Sequence, residues 1–209
     1  MSKPEIILIG AGGHARSCID VIEQNGQYRI AGLVGLAEQK FTQQLGYEVI
    51  ATDDELNELV ESYQYALITV GQVKTAKHRM RLYQMSLKCG FKMPSIFSPT
   101  AHVSQNATIG EGTIVMHGAI INAGAQVGIN CIVNTRAVIE HDTSVGDHCH
   151  ISTGAILNGG VSVGARCFIG SGCVMKEGLS LGKDCVVGMG LSVRHNLDDT
   201  TSFTGHGKS

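Results

Sequence analysis

No basic run occurs anywhere in the 209 residues, whose 16 Lys and Arg nearly balance 18 Asp and Glu for a net charge of -2. Nucleic-acid backbones are held by clustered cations that displace condensed counterions, so the chain carries no footprint for nucleic acid. No stretch approaches the roughly 18 apolar residues of a helical span, which predicts no membrane span. The opening Met1-Ser2-Lys3-Pro4 passes straight into an apolar strand pattern, without the charged, apolar and small-residue succession of a secretion leader. A cytoplasmic location is expected. Seven cysteines are present without a single Cys-x-x-Cys pair, which removes the common redox and zinc-ribbon signatures.

What the chain does have is a beat of six. From Val103 to Val193 an aliphatic residue, or Met175, recurs at every sixth position. Neither the 3.6-residue helix nor the two-residue strand produces that period, so an internal repeat organises the C-terminal half. Small or aliphatic residues stand two positions earlier (Ala119, Ala125, Cys131, Ala137, Cys149), and Gly often follows the aliphatic residue, as at Gly110, Gly128, Gly146 and Gly164. Such a sequence winds short strands into stacked parallel coils with turns between them. With three hexads to a coil, Cys131, Cys149, Cys167 and Cys185 fall 18 residues apart in one column, where Cys serves as a small apolar side chain.

The first 95 residues read as alternating strands and helices. Apolar Ile6–Ile9 leads through a glycine turn into a helix from Arg16 to about Gln24; a strand follows at 29–34 and a short one near Val49-Ile50. Asp53 or Asp54 is a candidate cap for a helix reaching about Glu61, a strand covers Ala66–Val70, and a longer helix runs from about Thr75 to Gly90. The pattern predicts a small, Rossmann-like parallel sheet. Gly10-x-Gly12-x-x-Ala15 fits the relaxed fingerprint in which backbone amides at a helix N-terminus receive a phosphate, making Gly12, Gly13 and His14 candidates for a substrate's phosphates. The second strand ends in Leu33-Val34-Gly35-Leu36, without the acid that a dinucleotide site places there. A nucleotide or nucleotide-sugar diphosphate fits better than NAD. A turn required only for close strand–helix packing is the competing reading.

Two segments together, Ile9-Gly10-Ala11-Gly12-Gly13-His14-Ala15 and Ile139-Glu140-His141-Asp142 within the repeat, give the chain a resemblance. It resembles the bacterial acetyltransferases that N-acetylate 4-amino nucleotide sugars of the bacillosamine and perosamine types for surface glycans and glycoproteins, together with their sialic acid O-acetylating relatives. The resemblance covers residues 5 to about 193. It implies a left-handed parallel β-helix over residues 96–197, a nucleotide-sugar-binding domain over 1–95, a homotrimer with sites between subunits, and acetyl-CoA as donor, with no metal. Two stretches depart from the pattern. Gly35-Leu36 stands where relatives carry acids near the nucleoside, and Arg194-His195-Asn196-Leu197 stands where many have Gly-Asn-Pro-Ala. Residues 198–209 are expected to form a mobile tail.

Acetyl transfer needs a base for the nucleophile's proton and a donor for the oxyanion. His141 lies outside the inward register and is flanked by Glu140 and Asp142, either of which can orient its ring; a solvated turn histidine is the plain alternative. The resemblance implies His141 as base with Asp142 as its partner. Gly159, 18 residues on, comes one coil above His141 and offers its amide to the oxyanion. His150 lies half a coil from His141, on the opposite side of the prism, and the resemblance implies that it contacts acetyl-CoA of a neighbouring subunit. Ser171 and Met189 match positions that touch the rest of the cofactor in relatives. Asn134 and His14 are candidates for the acceptor sugar and its phosphates, while His148 reads as a surface turn residue. Competing functions are sialic acid O-acetylation, a trimeric zinc lyase and a non-catalytic nucleotide-sensing scaffold. The zinc lyase requires a pair of histidines five residues apart, which His117, His141, His148 and His150 do not supply.

Overall fold

A computed structural model describes residues 3–205, in two compact units: residues 3–71 with 77–99, and residues 72–76 with 100–205. The opening dipeptide and the last four residues of the expected tail lie outside the described residues.

In the first unit, β1 (Glu5–Ile9) leads to α1 (Gly13–Asn25) and β2 (Arg29–Gly35); the short β3 (Gln43–Gln44) precedes β4 (Tyr47–Thr52), α2 (Leu56–Ser62), β5 (Tyr65–Ile68) and α3 (Lys77–Cys89). The sheet order is β3-β4-β2-β1-β5. Four strands are parallel and β3 pairs antiparallel with β4, so the sheet is mixed at one edge, through a hairpin that the sequence reading did not anticipate. Ile6, Ile7, Leu8 and Ile9 are fully buried, as an unalternating run on a sheet covered on both faces should be. α1 begins three residues earlier than its expected start because Gly12 is its N-cap, and it ends on Gly26 in the left-handed region, whose N–H bonds Ile22 O at 3.0 Å. The expected Asp53 or Asp54 cap is corrected: Glu55 is the N-cap of α2, and the 3₁₀ turn that precedes it, Asp53–Glu55, is capped by Thr52. The Thr52 backbone N–H and hydroxyl both donate to the Glu55 carboxylate, at 2.8 and 3.1 Å; the hydrogen bond from Lys40, followed by these two, holds Glu55 below the usual carboxylate range.

The second unit is a left-handed parallel β-helix of two-residue strands. Strands at 102–103, 120–121, 138–139, 156–157, 174–175 and 192–193 form one face, and those at 108–109, 126–127, 144–145, 162–163 and 180–181 the second. The third runs from Ile114–Val115 through His150–Ile151 to Val186–Val187 and closes with Ser202–Phe203. Partners are 18 residues apart, as in Ile121↔Ile139 and Val127↔Val145. From Val115 to Val193 every residue of the six-residue register is at most 4% exposed, so the repeat is the core.

The cysteine column is buried, and its thiols are free. They do more than fill space: Cys131, Cys149 and Cys167 direct Sγ at the carbonyls of Gly146, Gly164 and Gly182, at 3.1–3.3 Å. Thr113 makes the same bond to Gly128 O at 2.8 Å. Burial pushes the Cys149 thiol well up, so it remains a protonated donor.

Two expectations are corrected in this unit. His148 does occupy a turn, but it is 8% exposed, with Nδ1 at 3.0 Å from Asn130 Nδ2 one coil below. The expected mobile tail continues the β-helix pairing as far as Phe203: Leu181 bridges Leu197, and Val186–Val187 pairs with Ser202–Phe203. These partners are 16 residues apart instead of 18, so a two-residue deletion after Val193 moves the beat out of register while the coil continues.

Candidate active site

Both units bring candidate residues together. In the first, strand order reverses at β1: β2 and β4 lie on one side and β5 on the other. Open parallel sheets bind ligands at the carboxyl ends of strands beside such a reversal. A cavity of about 240 Å³ is found there, lined by the glycine turn, His14, Leu36, Thr69 and His78. The turn is shaped for close approach. Gly10 has φ 124°, its N–H bonds Val34 O at 2.8 Å, its carbonyl accepts from Thr69 Oγ1 at 2.6 Å, and an added Cβ would meet Val70 Cγ2 at 2.6 Å. Gly12 and Gly13 present bare backbone at the start of α1, where an added Cβ would meet nothing within 4 Å. Helix-end amides and aligned peptide dipoles favour an anion at that position. Gly12, Gly13 and His14 thus share one cavity.

In the second unit, His141 and Asp142 form the turn between the first and second faces. Asp142 is in the left-handed region (φ 59°), and its Oδ2 is 2.9 Å from His141 Nδ1. Glu140 is engaged elsewhere, accepting from Asn122 Nδ2 at 2.8 Å. The bond to Asp142 holds the imidazole above its ordinary pKa, the two neighbouring carboxylates add to that, and partial desolvation opposes it. The ring rests on Gly159: a Cβ there would come within 2.6 Å of Nε2. A Cβ on Gly124, one coil below, would meet Asp142 Oδ1 at 2.5 Å. Glycines above and below therefore make the room the pair occupies. The Gly159 carbonyl accepts from Gly178 N at 3.0 Å, while its own N–H finds no backbone acceptor among the described residues. Both side chains are largely exposed, at 66% and 73%.

His150 lies on the third face, which in a three-sided coil is opposite the corner that carries His141. It is 7% exposed. Its Nδ1 is 2.8 Å from Gln72 O and its Nε2 3.1 Å from Asn134 Nδ2; a carbonyl accepts only, so the proton is assigned to Nδ1 and Nε2 accepts from the amide. Asn134 Oδ1 takes the Thr135 N–H at 2.7 Å. Asn134 is therefore grouped with His150 within this unit. Gln72 belongs to this unit, and its side-chain amide donates to Arg166 O and Cys167 O at 3.3 Å. The sequence reading missed it, since a loop glutamine carries no signal of its own.

Ser171 and Met189 line a groove of about 670 Å³ beside Phe168, Lys74 and Gly188. Thr200, Ser202 and Thr204 form another part of its wall, so the residues expected to be a tail build the groove. Met189 is 80% exposed. These two residues stand at the turn between the third and first faces, one edge of the prism away from His141 and Gly159. Among the described residues no three of His, Cys, Asp and Glu gather closely enough to hold a metal, and no helix is long and apolar enough to cross a membrane.

Comparison with known proteins matches residues 5–85 to the PglD N-terminal domain and residues 160–194 to the hexapeptide repeat of succinyl-transferase. No curated protein sequence gives a match. Among solved structures, the chain is similar to perosamine N-acetyltransferase of Caulobacter crescentus, in a histidine-to-asparagine variant bound to CoA and GDP-perosamine. The identity is 33%, the match covers 95% of this chain and 92% of that one, and the TM-score is 0.89. The acetyltransferase domain of PglB from Neisseria gonorrhoeae, in complex with acetyl coenzyme A, is 29% identical over 95% of each chain with a TM-score of 0.87. WeeI of Acinetobacter baumannii, 18% identical over 90% of this chain and 94% of that one with a TM-score of 0.69, shares the fold.

Proposed function

The chain belongs to the hexapeptide-repeat family of bacterial nucleotide-sugar N-acetyltransferases, and from that premise we propose that it transfers acetyl from acetyl-CoA to the 4-amino group of a UDP- or GDP-linked amino-deoxy sugar. The observation that carries this reading is the imidazole seated on Gly159 and tied to Asp142, in a chain that also holds an anion-suited cavity at a helix N-terminus.

In this mechanism Nδ1–H donates to Asp142, which leaves the Nε2 lone pair free as a base. The sugar amine attacks the thioester carbonyl, the C–N bond forms, and the oxygen that gains charge is received by the Gly159 N–H. Nε2 takes the amine proton. The C–S bond then breaks and the departing thiolate regains that proton, giving amide and free CoA. Asp142 stabilises the imidazolium in between. An unperturbed amine is protonated at neutral pH, so the reaction draws on its neutral fraction and on neutral His141, and both grow as pH rises.

A trimer completes the site in this proposal. His141 is water-exposed in one chain, and the groove holding Ser171 and Met189 runs along a different edge. The first face also carries an outward aliphatic column of Ile120, Val138, Ile156 and Val174 on successive rungs, with Ile120 and Val174 each 37% exposed. Outward positions on the second face are Thr108, Gln126, Ser144, Ser162 and Ser180. An exposed apolar stripe suits a subunit contact and a polar one suits water. Packing on the first face would bring a neighbour against the His141 corner, with its groove supplying Ser171, Met189 and Gly170 to acetyl-CoA. His150, with both ring nitrogens engaged in its own chain, then shapes the wall of that cleft, and Asn134 fixes His150. Free, buried cysteines fit a reducing cytoplasm.

Release of CoA should be measured against UDP-, GDP- and dTDP-linked 4-amino sugars and free sialic acid. Turnover that requires an amino nucleotide sugar supports the proposal. Turnover with sialic acid alone would move the assignment to O-acetylation, and none with any acceptor would leave a scaffold.

A further inference from the structure

The first-unit cavity lacks an acid at the end of β2, where nucleotide-binding sheets of this type place one against the ribose hydroxyls. The local packing shows why. A Cβ on Gly35 would come within 2.9 Å of Gln39 Oε1, 3.0 Å of Val49 Cγ1 and 3.1 Å of Ala11 Cβ. Gln39 Oε1 also accepts the Leu36 N–H at 3.0 Å, so this corner is filled and closed on itself, and Leu36, 56% exposed, offers only an apolar wall.

One strand further out, the register places Thr52 opposite Gly35 in the parallel β2–β4 pair. Asp53 follows Thr52 at the same carboxyl edge, beside Leu36, and it is the one carboxylate among the described residues lining the cavity. Its Oδ2 is held by Arg81 Nη2 at 2.8 Å, and its side chain is 23% exposed. Among the described residues no Lys or Arg lines the cavity. A diphosphate would therefore rest on the Gly12–Gly13 amides, and a carboxylate across the cavity suits hydrogen-bond donors and repels phosphate. With Oδ2 given to Arg81, Oδ1 remains as a single acceptor, which matches a hydroxyl better than a paired N–H edge.

We infer that Asp53 takes over ribose recognition in this chain: Oδ1 accepts from the 2′-hydroxyl of the nucleotide, with Arg81 as its positioning residue, and so selects sugars linked to a ribonucleotide over those linked to a 2′-deoxyribonucleotide. This rests on the cavity being the nucleotide site of the proposed reaction.

The test is calorimetric binding of GDP and UDP against dGDP and dUDP to the full chain, as wild type, Asp53→Ala, Asp53→Asn and Asp54→Ala, with folding checked by circular dichroism. A hydrogen bond to a charged acceptor predicts that the wild type prefers the ribo form by about 10- to 100-fold. The preference should fall to about unity in Asp53→Ala, be reduced in Asp53→Asn, which keeps the shape, and survive in Asp54→Ala, whose side chain is exposed and outside the cavity. Equal binding of ribo and deoxy forms by the wild type, an undiminished preference in the folded Asp53 variants, or no nucleotide binding would overturn the inference. A preference that depends on Asp53, found alongside no CoA release with any amino nucleotide sugar, would uphold it and sink the acetyl-transfer reading instead.

Discussion

At the scale of single residues, the proposed chemistry depends on the space around one imidazole. A Cβ at position 159 would come within 2.6 Å of His141 Nε2 and 2.7 Å of Cε1, so Gly159→Ala must push the ring aside. A displacement near 1 Å at a reacting group lowers rate by about 10²-fold; kcat should fall by that order while the variant folds, and unchanged kcat would show that the ring's seat is irrelevant. The pH profile carries a sign that can be worked out. A base acts when neutral, so activity is lost as pH falls through the imidazole pKa. Asp142 raises that pKa above the ordinary imidazole value, so the wild-type acid limb of kcat/KM should lie on the alkaline side of that of an unpaired imidazole. Asp142→Asn should move the limb to lower pH while reducing the maximum, and a limb that stays put would separate Asp142 from the base. At this corner Gly159 was legible because 18-residue spacing stacks it over 141, and His141 because it falls outside the inward register between two acids, whereas the choice of Asp142 as its partner came from the family resemblance. Gln72 and Asp53 were not, since their positions follow from where a loop lies and from strand register, neither of which leaves a local pattern.

At the scale of elements, the coils are spaced by side chains that either bond across rungs or are missing. The Thr and Cys donors reach the carbonyl 15 residues on, so the small corner position selects a compact group with a donor as well as low volume. That chemistry was half legible: cysteine read as a small apolar residue, and its bonds required the coil geometry. Glycines differ in kind. A Cβ on Gly146 would meet Ala165 N at 2.7 Å and Gly164 C at 3.0 Å, while one on Gly154, at φ 66°, would meet nothing within 4 Å. Gly146→Ala should cost about 3 kcal/mol, the upper end of overpacking, because backbone cannot yield; Gly154→Ala should cost about 1 kcal/mol of left-handed strain. Denaturant midpoints of the two variants check this, and equal losses would contradict it. The misread tail belongs at this scale too: dropping two residues after Val193 erases the six-residue beat without ending the parallel pairing.

For the whole molecule, the two-part organisation was legible from a change of period, from alternating strand and helix patterns to hexads. What covers the β-helix was not, because an outward residue in a two-residue strand leaves only one position per hexad to read. The aliphatic column at 120, 138, 156 and 174 becomes visible once the strands are stacked. If that face is the trimer contact proposed above, Ile156→Glu places three charges in or beside apolar contacts. It should yield monomers by sedimentation and remove most activity, while circular dichroism of the coil persists. A trimer that survives Ile156→Glu would exclude this face as the contact.

The central claim joins one reaction to one residue, and a single paired measurement reaches it. Acetyl-CoA labelled with ¹³C at the carbonyl, incubated with a UDP- or GDP-linked 4-amino sugar, should give a ¹³C amide resonance on the sugar with the wild-type protein. The rate should be about 10²- to 10⁴-fold lower with His141→Ala, the usual share of a general base, at undiminished acetyl-CoA affinity. Label found as an ester, or amide formed by His141→Ala at the wild-type rate, would contradict the account.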